Sequence, residues 1–159
     1  GPQSKSDYTE ESIDSEWWAE TLDKYNWQAG YYQDFGIGGG DSPVFNASVL
    51  LDLYDSPENA AQSLAERLER IPTWEGQSQD GATLESVAVF EVEGFDAWGM
   101  TVGVRDSSGT LYTLTNIDFV RGPIIVDVGT ASTDQRDLVP ATLALVQMVN
   151  ARLVAAGLG

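Results

Sequence analysis

The run of residues 85–131 constrains this chain most. Four stretches of alternating apolar residues, 85–92, 97–105, 110–120 and 124–131, are separated by breaks too short for anything but a reversal of direction. Asp106-Ser107-Ser108-Gly109 reads as a hairpin turn and Arg121-Gly122 as a tighter one. Links that short join only antiparallel neighbours, because a parallel crossover needs a dozen residues or more. An antiparallel sheet is therefore the frame into which the rest must fit.

Upstream, Asp14 or Ser15 can cap a helix from Glu16 to about Tyr25, with Trp18, Leu22 and Tyr25 on its buried stripe and Gly30 as its stop. Trp17 lies off that stripe and is expected to pack beneath the leader or a neighbouring loop. Residues 31–37 suit a strand, and 44–54 alternate more clearly, with Phe45, Ala47, Val49, Leu51 and Leu53 on one face. Between them, Asp34-Phe35-Gly36 runs into a glycine-rich stretch that looks like a phosphate loop. The stretch ends in Pro43 and a strand, whereas a phosphate loop ends in a helix amino terminus and a lysine, so it is expected to be a strand connection.

Asp55-Ser56-Pro57-Glu58 is a helix start, followed by Ala61, Leu64, Ala65, Leu68 and Ile71 at helical spacing and stopped by Pro72. Residues 74–82 read as loop. The last helix begins near Asp134 or Asp137, accepts Pro140 in its first turn and runs to Gly157. Apolar residues cover most of its circumference, which predicts a well-buried helix. The expected fold is α+β, an antiparallel sheet of about six strands with three helices packed on it, in the order α-β-β-α-β-β-β-β-α. Gly1-Pro2 reads as the residue of a cleaved expression tag and residues 3–12 as a flexible polar leader, leaving 13–159 as one globular domain.

Composition then removes whole classes of chemistry. The chain holds no histidine and no cysteine, so no imidazole-based triad, thiolate nucleophile, disulfide or sulfur-ligated metal can form. Any acid or base would be a carboxylate, lysine or tyrosine with a displaced pKa. With 25 acidic and eight basic residues the net charge is −17, a field that repels nucleic acid and anionic membrane surfaces. No apolar run approaches the ~20 residues of a membrane span.

Several groups of residues could carry function. With Arg121-Gly122 as a two-residue turn, Asn116 falls opposite Asp127 and Asp118 opposite Ile125, all on one face. Asn116, Asp118 and Asp127 are the candidate metal ligands, for calcium or another hard cation, and Asp118 a candidate raised-pKa acid. Trp74, Trp98 and Tyr112 are candidate walls of a ligand groove, with Arg121 at the hairpin tip as a candidate anion or partner contact. The acidic leader, from Asp7 to Glu16, lacks the spacing of a calcium loop.

A resemblance joins these readings. The stretch Glu16-Trp17-Trp18-Ala19-Glu20-Thr21-Leu22-Asp23-Lys24-Tyr25-Asn26-Trp27 leading to Gly30-Tyr31, the Asp55-Ser56-Pro57-Glu58 helix start, and Asp118-Phe119-Val120-Arg121-Gly122-Pro123-Ile124-Ile125-Val126 resemble a group of uncharacterised bacterial exported or lipoprotein-type domains. The architecture is similar to the PsbP-like fold of photosynthetic accessory proteins and mycobacterial lipoproteins. Pro123 departs from that pattern, which has a polar residue after the hairpin glycine. The resemblance implies an extracytoplasmic setting, secreted or lipid-anchored, and a non-catalytic role, and it imports no functional residue. The expected function is a non-enzymatic extracytoplasmic domain, without cofactor, that binds a protein partner or small ligand through loops such as residues 36–43 and 74–81. The alternatives are a carboxylate-based hydrolase using Asp118 and Asp127, or a calcium-dependent structural module.

Overall fold

The computed structural model describes residues 1–10, 13–36, 46–133 and 136–158, without the side chains of residues 8–10. In chain order the elements are β1 (Pro2–Gln3), α1 (Lys5–Glu10), α2 (Ser15–Lys24), β2 (Trp27–Gly36), β3 (Asn46–Tyr54), α3 (Pro57–Arg70), a 3-10 turn (Ile71–Trp74), β4 (Ser78–Gln79), β5 (Ala82–Glu91), β6 (Trp98–Arg105), β7 (Leu111–Arg121), β8 (Ile124–Ser132) and α4 (Val139–Ala155). The strands form one eight-stranded sheet in the order β1-β2-β3-β8-β7-β6-β5-β4, with every neighbouring pair antiparallel. The α+β class and the antiparallel sheet agree with the expectation, but among the described residues there are four helices rather than three and eight strands rather than about six. The added strands, β1 and β4, are two residues each, too short to leave a periodic pattern.

Of the expected leader, residues 3–10 are described and hold the end of β1 and the short helix α1. Pro2 and Gln3 pair with Tyr31 and Gly30 of β2, and Lys5 forms an ion pair with Asp23 of α2. Asp7 accepts a hydrogen bond from the Ser4 backbone N–H at 3.0 Å, which fixes the first turn of α1. The glycine-rich stretch, residues 37–45, lies outside the described residues, as does the start of the last helix proposed at Asp134. The strands on either side of the glycine stretch pair antiparallel as far as Gly36 opposite Asn46.

Gly30 does not stop the first helix. Asn26, in the left-handed region at φ 52, turns the chain straight from α2 into β2, and the strand starts at Trp27. Gly30 sits inside β2 opposite Asp52, where a Cβ would lie 3.0 Å from the Trp27 ring and 3.4 Å from the Asp52 carboxylate. Its bareness makes room for the Trp27 indole to reach Asp52.

Ser56 caps α3 by accepting the Asn59 N–H at 3.1 Å, and Pro57 takes the first helical position, where its missing N–H costs nothing. The buried stripe is rotated by one residue from the expected one. Ala60, Ser63, Leu64, Arg67 and then Ile71 are buried, while Ala61 and Ala65 are exposed and Leu68 is half-buried. Apolar periodicity alone would turn Ser63 and Arg67 outward; polar groups waiting in the sheet turn them inward.

The β7–β8 hairpin is closed by Gly122 and Pro123, with Arg121 opposite Ile124. Gly122 has φ 54, and Pro123 cannot take the positive φ that a type I′ turn demands at its second position, so glycine first and proline second suit a type II′ turn. The register therefore differs by two residues from the expected one: Asp118 faces Asp127, and Asn116 faces Gly129. A slip of two keeps every side chain on its original face, so Asn116, Asp118, Ile125 and Asp127 still share one.

Helices cover both faces of the sheet. On one, Val126, Val128, Ile117 and Phe119 pack beneath Val146 of α4, helped by a 2.7 Å hydroxyl bond between Thr130 and Thr142. On the other, Ala60 and Leu64 of α3 pack on Tyr54, Ile125 and Tyr25, beside a cluster of Trp18, Ile71 and Trp74. Trp17 joins that cluster, with its ring 4.9 Å from Trp18 and 6.1 Å from Trp74. The last helix is less buried than its composition predicts: Met148 and Val154 are 56% and 51% exposed, because the sheet covers only one side of it.

Candidate functional site

The α3 face of the sheet is unusual in what it buries. Asp52 in β3 and Arg67 in α3, 1% and 4% exposed, form an ion pair at 2.9 Å. The Arg67 guanidinium also donates to the Tyr54 hydroxyl at 2.5 Å and lies 4.7 Å from the Trp18 ring centre. Asp52 accepts a second bond from the Trp27 indole N–H at 2.9 Å, and Tyr54 shares a 3.0 Å hydroxyl bond with Ser63. Burial raises the Tyr54 phenol above its ordinary value. Each buried charge in this network has a partner of opposite sign, the condition under which an interior ion pair is tolerated.

On the next two strands, on the same face, lie Asp127 of β8 and Asp118 of β7, directly opposite one another. Asp118 is 7% exposed, whereas Asp127 is half-buried. Asn116 donates its amide to both Asp127 oxygens at 2.9 Å. Burial, followed by the negative charge of Asp127, holds the Asp118 carboxyl well above the usual range, and burial raises Asp127 too. Two facing carboxyls, one of them buried, cannot both ionise cheaply, and we assign the proton that this favours chiefly to Asp118. One oxygen of Asp118, Oδ1, is buried without a hydrogen-bond partner.

Asp118 lies in the wall of a cleft of about 550 Å³ between α3 and strands β6 and β7. The rotation of α3 builds it. With Ser63 and Arg67 turned into the core, the small residues Ala61 and Ala65 are left to form one wall, and Trp98 and Val120 stand on the other side. Leu64 and Leu68 add apolar surface, while Glu69 and Asp96 also line the cleft. Trp98 belongs here by register, being the cross-strand partner of Asp118, and it is 38% exposed. Asp127 opens instead to a separate cavity of about 360 Å³, lined by Tyr32, Ser48 and Asn116 among others.

The candidate wall residues do not converge. Trp74 is buried in the tryptophan cluster, and Tyr112, opposite Val104, lies six strand residues from Trp98 and donates its hydroxyl to Asp106 at 3.0 Å. Arg121 is tied to α4 rather than presented at the hairpin tip: it donates to Asn150 Oδ1 at 2.7 Å and to the Val120 carbonyl at 3.1 Å, and its guanidinium lies 5.3 Å from the Phe119 ring centre. The stretch after Trp74 is pinned to β5 by paired bonds, Gly76 N–H to the Leu84 carbonyl at 2.7 Å and Leu84 N–H to the Gln77 carbonyl at 2.9 Å. Asn116, Asp118 and Asp127 do come together, with the Asn116 amide on Asp127 and Asp118 facing Asp127 across the hairpin. Among the described residues no group of three or more Asp or Glu is arranged to hold a metal ion.

Asp52, Arg67 and the α3 side of the cleft were not among the residues the sequence singled out for function. The available signal was Asp52 itself, an acid set between Leu51 and Leu53, on the same strand face as Leu50 and Tyr54. Aligning that face with Asp118 and Asp127 would have required an arginine among the buried positions of α3. A second groove, of about 640 Å³, runs between α4 and strands β2 and β3, with Tyr31, Phe35, Val49, Met148 and Leu153 along it.

No protein-family model matches the chain, and no curated protein matches it. Among solved structures it is similar to the extracellular domain of PknH from Mycobacterium tuberculosis, at 11% identity and a TM-score of 0.56, over 83% of this chain and 69% of that one. It is also similar to PA94, a protein of unknown function from Pseudomonas aeruginosa, at 18% identity and a TM-score of 0.41, over 77% of this chain and 82% of that one. The resemblance to PsbP-like and exported lipoprotein-type domains rests on the residues quoted for it, with no family match beside it. No helix among the described residues is long and apolar enough to cross a membrane. The likeness to the PknH domain is one of fold and carries over no functional residue, so what it establishes is that this α+β arrangement is one an extracellular domain also uses.

Proposed function

We propose that this chain is an extracytoplasmic, non-enzymatic binding domain that holds a small, largely apolar ligand in the cleft between α3 and strands β6–β7. The observation that carries the reading is Asp118 in the wall of an open, mainly apolar cleft, with its Oδ1 buried and without a hydrogen-bond partner. A buried polar atom without a partner is costly, and a ligand bearing one complementary group on an apolar body would satisfy it. The cleft volume, about 550 Å³, suits a small molecule. The extracytoplasmic part of the reading is supported by the fold likeness to an extracellular domain and by the exported-protein resemblance.

Binding is favoured over hydrolysis because Asp118 and Asp127 open to different cavities, whereas a pair of catalytic carboxyls must address one substrate. A calcium role is less well supported, since both Asp127 oxygens are engaged by the Asn116 amide. Nitrogen-15 NMR tests the proposal with 1-hexanol as an apolar probe. Saturable shifts at Ala61, Ala65 and the Trp98 indole, abolished in Ala65→Trp, are the expected result. Shifts absent from those residues, or unchanged by Ala65→Trp, would refute it.

A further inference from the structure

We infer that the ligand of this cleft is an organic cation, an ammonium group on a short apolar body, seated on Asp118 beside Trp98. The inference rests on the cleft reading above and goes further by assigning the ligand's charge.

The ionisable residues lining the cleft are Asp118, Glu69 and Asp96, all acids, and among the described residues that line it none is basic. Arg67 lies beneath, but its charge is matched by Asp52 at 2.9 Å, so the pair adds little net field to the cleft. The groups that act on Asp118 are Asp127 from β8, Asp52 from β3 and Arg67 from α3, with Glu69 and Asp96 lining the cleft around it; Arg67 alone opposes the rest. An anion would enter against three acids. A neutral ligand would use the carboxyl but gain nothing from Glu69 and Asp96. A cation gains from all three, and Trp98 offers an aromatic surface of the kind ammonium groups prefer.

The Asp118–Asp127 pair also supplies a means of charge compensation. While it shares a proton it carries one negative charge, and as an ammonium settles on Asp118 the proton can leave to solvent, so that a second negative charge forms as the positive one arrives. The ligand keeps its own proton throughout. Affinity should then rise by up to about tenfold per pH unit while the free pair holds its proton, and level off above that point.

Isothermal titration with hexylammonium, 1-hexanol and hexanoate on the whole chain and on Asp118→Asn tests this. Asparagine copies the shape of a protonated carboxyl, so the variant should fold. Hexylammonium should bind about tenfold or more tighter than hexanol at neutral pH. Where the free pair holds its proton, its binding should release up to one proton, read from the dependence of the heat on buffer, and Asp118→Asn should erase its advantage over hexanol. If Asp118→Asn does not fold, the double change Glu69→Gln and Asp96→Asn, at two exposed positions, should weaken hexylammonium severalfold and leave hexanol alone. Hexanol or hexanoate binding as tightly as hexylammonium, or a preference for the amine that survives these substitutions, would overturn the cation assignment while leaving the cleft reading standing. Saturable binding by none of the three would remove both.

Discussion

Replacing Arg67 by methionine should be among the most damaging single changes this fold can suffer. Methionine keeps the volume and length of the side chain's stem, so the loss is one of charge and hydrogen bonds rather than packing. The ion pair's side chains are 5% and 1% exposed, so solvent provides almost no screening. Without Arg67, Asp52 keeps the Trp27 indole N–H at 2.9 Å as a partner but remains a buried charge without a counter-ion. Breaking such a pair from one side costs about 3–5 kcal/mol. A domain of this size has a total stability of about 5–15 kcal/mol, and at about 2–4 °C per kcal/mol the melting temperature should fall by about 6–20 °C. Calorimetry and urea denaturation measure both. The decisive comparison is the double variant Asp52→Asn with Arg67→Met, where asparagine still accepts the Trp27 bond but carries no charge. It should recover more than half of the loss. If Arg67→Met costs under about 1 kcal/mol, or the double variant is no more stable than the single one, the network is not the electrostatic unit described here.

The pH dependence of stability follows from Asp118. Its carboxyl is raised in the fold, so the folded chain retains a proton that the unfolded chain loses near pH 4. The stability this proton contributes is fully present below that unfolded value and declines as pH rises toward the folded value, at up to about 1.4 kcal/mol per pH unit. Relative to Asp118→Asn, wild type should therefore lose urea resistance between pH 4 and 7, and a difference that is flat or of opposite sign would refute the protonated pair. Gly99→Ala should destabilise by about 1–3 kcal/mol, because the new Cβ would lie 2.2 Å from the Phe90 ring, and Phe90→Leu should restore part of that in thermal melts. Ser56→Ala removes the cap on Asn59 N–H and should cost about 1 kcal/mol in the same assay, with the sheet unchanged by circular dichroism.

The long strands and the start of α3 were legible because they follow from local rules. Alternation marked β5 to β8, and Ser56 before Pro57 announced α3. What lay beyond reach depended on pairs of distant residues. The buried stripe of α3 was misplaced by one position because Arg67 looks like a solvent residue until Asp52 and Tyr54 are placed beneath it. The β7–β8 register was off by two because Gly122-Pro123, rather than Arg121-Gly122, closes the hairpin, although the parity of the slip spared the prediction that Asn116, Asp118 and Asp127 share a face. The last helix misled in the opposite way: its composition suggests full burial, yet the sheet covers only one side of it, and Met148 stays outside. Of the candidate site, Trp98 and Asp118 came together as partners. Trp74, Tyr112 and Arg121 went to separate tasks in packing and anchoring.

The turn of α3 that hides Ser63 and Arg67 separates two requirements that most helices must meet with the same residues. Positions that hold the domain together lie on one side, and Ala61 and Ala65, which line the cleft, lie exposed on another. Descendants of this sequence could enlarge or trim those two side chains and change what the cleft admits without endangering the fold, so a single scaffold could diversify its selectivity by steps as small as one methyl group.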